Sequence, residues 1–335
     1  MLIGIHYMRG LAALMVVLFH AISFMVIYKN YNSPFAHYIL ATGVDIFFVI
    51  SGFLMVKTTE KYKESRLDWK SFLYKRLVRI TPMYWTITIL IALAIMYKPS
   101  LSEKTIDLDF LIKSLLFLPT KIPNSDVQST IIPVGWTLVY EMFFYIVFAA
   151  FTAINYRKGL AAIILMFCML SLAHSQFDNY YLTLYTNPII LEFCLGMIIA
   201  KLSTPSSKHA LLLMGFGFLA LTTGAYLDGP HFNTRFLSAG FGAALIIYGA
   251  SGLKLKKTLV IPKLLGDSSY TTYLIHMYVI KAGAKFLPPS FVSCLILTAF
   301  SIVVGHIVYL LIESPIQKTI FNFKNKSRPE LQVRT

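Results

Sequence analysis

Residues 4 to 27 read GIHYMRGLAALMVVLFHAISFMVI, and the reading of this stretch decides the fold. A run of this length is long enough to cross a hydrocarbon core, which takes about 20 apolar residues. It lacks a basic leading region and a small-residue cleavage site, so it is expected to be a retained first span and not a signal peptide. Arg9 and His20, both ionisable, fall within it. Ionisable groups inside a membrane span are costly enough to be functional candidates by default.

The rest of the chain extends the same reading. Of its 335 residues 57% are hydrophobic and 13% charged, with a mean hydropathy of +0.67. A soluble globular chain is typically about 45–50% apolar and about 25% charged, so a soluble enzyme or a nucleic-acid-binding domain is excluded despite the net charge of +15. Apolar runs long enough to span occur at about 4–27, 38–56, 80–97, 133–154, 159–175, 186–201, 209–226, 235–250, 268–287 and 291–312. The expectation is an all-α polytopic bundle of about ten transmembrane helices. The sixth and eighth are short, and Gly240, Gly242, Gly249 and Gly252 suit the eighth to close helix packing. Cys168, Cys194 and Cys294 fall in apolar runs at spacings that suit neither a disulfide framework nor a metal site.

Orientation follows from Lys and Arg, which accumulate in cytoplasmic connections. With the N-terminus inside, 21 of the 30 fall on the cytoplasmic side, eight of them between 57 and 79, and eight lie on or near the outer side. Both termini are therefore expected in the cytoplasm. The membrane domain is expected over 1–315, with a basic, disordered tail over 316–335 beside anionic lipid. The longest outer connection, about 98–132, contains an amphipathic piece, DFLIKSLLFLP, and a polar stretch from Thr120 to Thr130 that could act as a lid or acceptor-binding loop.

Within the spans, Arg9 and His20 are eleven residues apart, which places them on one helix face about 16 Å apart. Asp45 and Glu141 lie seven and eight residues into the second and fourth runs, and Glu192 reaches a comparable depth in the sixth. At about 1.5 Å per residue, both Asp45 and Glu141 come to the depth of His20. A carboxylate beside a histidine fixes its tautomer and stabilises the imidazolium, the base half of a hydroxyl-activating pair. Helix cross-linking by hydrogen bonds is the competing reading of His20 and Glu141. It is the preferred one for Asp45 and Glu192, and His276 and His306 are read as nearer to packing than to chemistry. At KRLVR, from Lys75 to Arg79, two arginines three apart open the third helix and suit a polyphosphate-bearing donor, or else serve only as a topology signal.

These residues, with their neighbours, resemble the integral-membrane acyltransferase-3 family, which includes bacterial O-acetyltransferases of surface glycans. The matching pieces are RGLAALMVVLFH (Arg9–His20), GVDIFFVISGFLM (Gly43–Met55), KRLVRITPMYW (Lys75–Trp85), GWTLVYEMFFY (Gly135–Tyr145), SSYTTYLIH (Ser268–His276) and ESP (Glu313–Pro315), in the expected order. The resemblance implies transfer of an acyl group, usually acetyl from cytoplasmic acetyl-CoA, to a sugar hydroxyl of a surface or lipid-linked polysaccharide. Acetyl-CoA is then a substrate, and no permanently bound cofactor or metal is expected. It also implies a catalytic role for His20, an essential supporting role for Arg9, and donor binding by Arg76 and Arg79. The extracytoplasmic esterase-like domain of some members is not expected here.

Ser51 and Gly52 are candidates to line the donor path, and Trp136, Tyr270, Tyr273 and His276 a substrate path. The working mechanism has His20, oriented by Glu141 or Asp45, deprotonating the glycan hydroxyl, with Arg9 positioning the donor. The expected partners are acetyl-CoA, a glycan or lipid-linked oligosaccharide, membrane lipid and polysaccharide-assembly proteins, with no nucleic acid. The rival functions are a transporter or flippase using the same polar layer as a proton relay, and a structural subunit of an assembly complex.

Overall fold

The computed structural model describes residues 2–326 except 34, 100–104, 121–128, 178, 230–234 and 256. Most of the Thr120–Thr130 stretch proposed as a lid therefore lies outside the described residues. Among the described residues there is no strand. The helices are α1 (Ile3–Lys29), α2 (Gly43–Thr59), α3 (Trp69–Tyr97), α4 (Leu108–Leu115), α5 (Trp136–Ile154), α6 (Tyr156–Leu172), α7 (Tyr180–Thr186), α8 (Leu191–Ile199), α9 (Ser207–Asp228), α10 (Phe241–Ser251), α11 (Val260–Gly283), α12 (Phe291–Val308) and α13 (Ser314–Lys326).

By length and apolar composition seven helical segments qualify as membrane spans: Ile3–Lys29, His37–Tyr62, Trp69–Tyr97, Pro133–Ile154, Tyr180–Ile199, Ser207–Asp228 and Phe291–Ile320. The other three expected segments are also helical, but each falls short for a physical reason. Tyr156–Leu172 and Phe236–Ser251 are short. Helix α11 is long enough at 24 residues, but Ser268, Ser269, Thr271, Thr272 and His276 are all buried in it. Its polar side is turned into the bundle, so its apolar content cannot be that of a lipid-facing helix. Exposed apolar stripes, such as Leu212, Phe216 and Leu219 on α9 and Val292, Ile296, Phe300, Val303 and Ile307 on α12, face outward as a lipid solvent requires.

Helix starts differ from the apolar runs because polar caps extend the helices. Asp68 caps α3 by accepting from Ser71 N at 3.1 Å, so that helix begins at Trp69 and not near Lys75. Arg76 and Arg79 therefore lie within the helix, and partial charge from its N-terminus does not add to theirs. The amphipathic piece after 98 is helix α4, capped by Asp107 and tied to α3 by Tyr84 Oη donating to Ser114 O at 3.0 Å and Trp85 Nε1 donating to Leu115 O at 2.8 Å. Beyond Glu313 the chain continues as helix to Lys326; 327–335 lie outside the described residues.

Close packing depends on glycine at a few crossings. A Cβ on Gly52 of α2 would stand 2.0 Å from Phe193 O, and one on Gly196 of α8 would stand 2.2 Å from Val49 O. The two backbones touch there, and Gly52 serves the α2–α8 crossing and does not line a path. In α10, Gly242 and Gly249 similarly admit α9, within 2.6 Å of Leu221 N and 2.5 Å of Ala210 O. Helix α1 lies along α11, with Gly10 against Gly266.

One buried ion pair also joins elements. The Arg235 side chain donates through Nε to Asp45 Oδ1 at 2.7 Å and through Nη2 to Asp45 Oδ2 at 2.6 Å, with Ala41 O at 3.2 Å. Asp45 has no exposed surface. It therefore ties α2 to the π-helical turn (Phe236–Gly240) that leads into α10, and it is not the partner of His20. Glu192 is buried nearby against Gly240.

Two stability measurements follow from this packing. Gly52→Ala is expected to destabilise by about 1–3 kcal/mol through overpacking, read as a lower Tm in detergent. Gly215→Ala, with nothing within 4 Å of the added methyl, should leave the Tm unchanged or slightly raised. Asp45→Asn strands the Arg235 charge and should cost about 3–5 kcal/mol; Asp45→Asn with Arg235→Gln should recover part of the loss in the same melt.

Candidate active site

Arg9 of α1, Arg76 and Arg79 of α3 and Glu141 of α5 converge on one cavity of about 790 Å³, counting its open mouth. Arg9 from α1 and Arg76 and Arg79 from α3 line it, with Ser51 of α2, Thr137, Glu141 and Tyr145 of α5, and Ser269, Tyr270 and Tyr273 of α11. Arg76 and Arg79 share a face because they are three residues apart on one helix. Arg76 Nη2 donates to Thr58 Oγ1 at 2.8 Å, and its guanidinium stands over the Phe72 and Tyr145 rings at 5.5 and 5.8 Å. These contacts aim a long, flexible side chain into the cavity.

Glu141 accepts from Ser51 Oγ at 3.0 Å and from the Tyr145 hydroxyl. Among the described residues none of Arg9, Arg76 and Arg79 makes a salt bridge. Three guanidinium groups against one carboxylate leave the lining positively charged. Such a wall attracts an anion, and planar guanidinium forks match phosphate oxygens.

His20 lies elsewhere. Its Nδ1 is 2.9 Å from Val16 O and 3.1 Å from His276 Nε2. His276 is fully buried, with its own Nδ1 2.7 Å from Tyr273 O and 3.2 Å from Thr272 O. Tyr273 connects the two regions. Its ring lines the cavity, its hydroxyl pairs with Thr137 Oγ1 at 3.0 Å, and its ring centroid is 5.9 Å from that of His276.

The structure thus brings together Arg9, Arg76, Arg79, Ser51 and Glu141, with Tyr270 and Tyr273, and places His20 with His276 beyond Tyr273. It does not bring Glu141 or Asp45 to His20: neither carboxylate is hydrogen-bonded to that ring, because equal depth says nothing about which way a side chain faces around its helix. Trp136 stands edge-on to Phe48 and Tyr140, away from the cavity lining. His276 escaped the depth argument because α11 begins at Val260, eight residues before the expected start at 268. Counted from the true starts, at about 1.5 Å per residue, His20 and His276 lie about 25 and 24 Å along α1 and α11, one level in two parallel helices.

Tyr145 and Thr58 were not singled out in the sequence. The signal for Tyr145 was its position four residues after Glu141 on a helix. Among the described residues no group of three or more His, Cys, Asp or Glu side chains comes together to hold a metal ion. The three cysteines are free.

Comparison with known proteins places this site in a family. Residues 2–312 match the family model described as Acyltransferase domain, of the acyltransferase-3 type. The chain is 33% identical over 262 residues to the exopolysaccharide production protein ExoZ of Rhizobium meliloti (strain 1021), covering 73% of this chain and 78% of ExoZ. It is 25% identical over 326 residues to the O-acetyltransferase OatA of Staphylococcus aureus (strain NCTC 8325 / PS 47), covering 83% of this chain and 53% of OatA. The chain thus spans about half the length of OatA. No solved structure matches. With the family model covering nearly the whole chain and the arginine and histidine pieces in place, this multi-pass protein is an acyltransferase and belongs to the acyltransferase-3 family.

Proposed function

We propose that the protein moves an acetyl group from cytoplasmic acetyl-CoA to a sugar hydroxyl of an exopolysaccharide or lipid-linked glycan, with His20 as general base. The observation that carries this reading is the arginine-lined cavity whose wall includes Tyr273, the neighbour of the hydrogen-bonded His276–His20 pair. The phosphates of the donor sit among Arg76, Arg79 and Arg9, and the acetyl-pantetheine arm runs past Ser51 and Thr137 to the Tyr273 ring. The printed names of ExoZ and OatA support the polysaccharide and the acetyl group respectively.

In the transfer step the hydroxyl proton passes to His20 Nε2 as the sugar oxygen attacks the thioester carbonyl carbon. The carbon–sulfur bond then breaks, and the departing thiolate takes the proton back from His20. The products are the sugar ester and free CoA thiol, and His20 returns to its neutral form.

The donor end is cytoplasmic in this proposal: the Lys and Arg excess favours both termini on the cytoplasmic side of an inner membrane and an even number of crossings, which the ten apolar runs satisfy. In a chain whose three cysteines are replaced by alanine, a cysteine at Lys61 should react with an impermeant maleimide only after permeabilisation. One at Lys98 should react in intact cells, and the opposite pattern reverses the orientation.

The enzymatic test uses purified protein in detergent with labelled acetyl-CoA and extracted surface glycan. His20→Ala should lower kcat by about 10²–10⁴-fold, and Arg76→Ala with Arg79→Ala should chiefly raise KM for acetyl-CoA. Wild-type protein that consumes no acetyl-CoA, or full activity in His20→Ala, would overturn the reading. The first of those results is what a transporter gives.

A further inference from the structure

The hydrogen bond between His20 and His276 can be assigned a direction. Thr272 O and Tyr273 O are carbonyl oxygens and only accept, so His276 Nδ1, which faces both at 3.2 and 2.7 Å, carries that ring's hydrogen. A neutral imidazole holds one N–H, and His276 Nε2 is therefore a lone pair. It points at His20 Nδ1 from 3.1 Å. His20 Nδ1 also faces Val16 O at 2.9 Å, another group that only accepts, so His20 Nδ1 carries hydrogen as well. The hydrogen is shared between two acceptors, and the remaining nitrogen, His20 Nε2, keeps its lone pair. Among the described residues that nitrogen has no hydrogen-bond partner, and the His20 side chain is half-buried.

We infer that His276 is the positioning residue of His20: its Nε2 accepts the His20 Nδ1–H, keeps the basic lone pair on His20 Nε2, and shares the positive charge when that nitrogen takes a proton. This rests on the reading of His20 as the base. The two acceptors of the His20 Nδ1–H are unequal. Val16 O sits one helical turn before His20 in α1 and is oriented to accept the backbone N–H of His20, whereas the His276 lone pair is uncommitted. An imidazole nitrogen, with a reference pKa near 6.5, is also a far stronger base than an amide oxygen, so the bond to His276 strengthens most when His20 becomes cationic.

His276 thus fills the place that a carboxylate fills in other histidine bases, without a standing negative charge in the bundle. Its own geometry is fixed by the helix. Both of its carbonyl partners belong to α11 itself, three and four residues earlier, and its ring has no exposed surface.

The test compares two substitutions of nearly equal size. His276→Met removes the acceptor and should lower kcat at least about tenfold with KM for acetyl-CoA unchanged. His276→Gln returns a side-chain amide oxygen, a weaker acceptor, near the Nε2 position and should recover part of the kcat lost in His276→Met. If both variants lose activity equally while remaining monodisperse, the side chain only packs and the inference fails; it fails too if His276→Met keeps wild-type kcat. His20→Ala is run in the same assay. Loss there with an active His276→Met overturns this inference alone, whereas an active His20→Ala overturns the assignment of the base and this inference with it.

Discussion

The parallel contact of α1 with α11 is the constraint on which the site depends. Gly10 lies against Gly266, and His20 meets His276 one side chain to another. Both pairs are separated by 256 residues in sequence, so the two helices keep one register over about ten residues, or roughly 15 Å. A Cβ on Gly10 would stand 2.8 Å from Leu265 Cβ and 2.9 Å from Gly266 N, and one on Gly266 would stand 2.6 Å from His6 O, so each glycine lets the facing helix approach. At one end of this seam His6 binds Asp267 at 2.9 Å. Arg9 and Tyr270 turn into the cavity beside it, and further along the two histidines meet. A slip of one residue would turn each of these groups to another face.

Charge is distributed along this frame in two separate accounts. The Asp45–Arg235 pair is bidentate and buried, so its charges cancel locally and it contributes geometry more than field. The cavity keeps an excess. Arg9, Arg76 and Arg79 face one carboxylate, Glu141, which is itself held by Ser51 and Tyr145. In surroundings of low dielectric such an excess is strongly attractive to a phosphate group. Glu141 does not meet the histidine because its carboxylate is held by Ser51 and Tyr145 on the cavity wall, and Asp45 is bound by Arg235.

Much of this was legible in the sequence. The helical, membrane-spanning character followed from composition, and the shared face of Arg9 and His20 from their spacing. The pairing of Arg76 with Arg79 followed in the same way. What was not legible depended on azimuth and on helix starts. Asp45 and Ser51 are both on α2, but six residues at about 100° each put them on different faces, so depth alone could not say which would meet the cavity. Helix α11 begins at Val260, eight residues before the apolar run at 268–287, because its first two turns, VIPKLLGD, are interrupted by Pro262, Lys263, Gly266 and Asp267 and read as a connection. That shift of eight residues hid the level match between His20 and His276. Arg235 read as an outer-loop charge because nothing in one sequence announces a partner 190 residues away.

The pairing of two neutral rings also makes energetic sense inside a bundle. A carboxylate beside His20 would be a buried charge in every state of the protein, and its desolvation would be paid whether or not a proton was moving. The lone pair of His276 costs little while His20 is neutral and gains its charge-assisted bond only when His20 is cationic. The stabilisation is then concentrated where the reaction develops charge, the condition for lowering a barrier and not merely binding a ground state. Tyr273 extends the logic to the donor. It is part of the arginine-lined cavity and its carbonyl accepts the His276 Nδ1–H, so in the proposed mechanism a displacement of this one residue would reach His20 through two hydrogen bonds in series, Tyr273 O to His276 and His276 to His20.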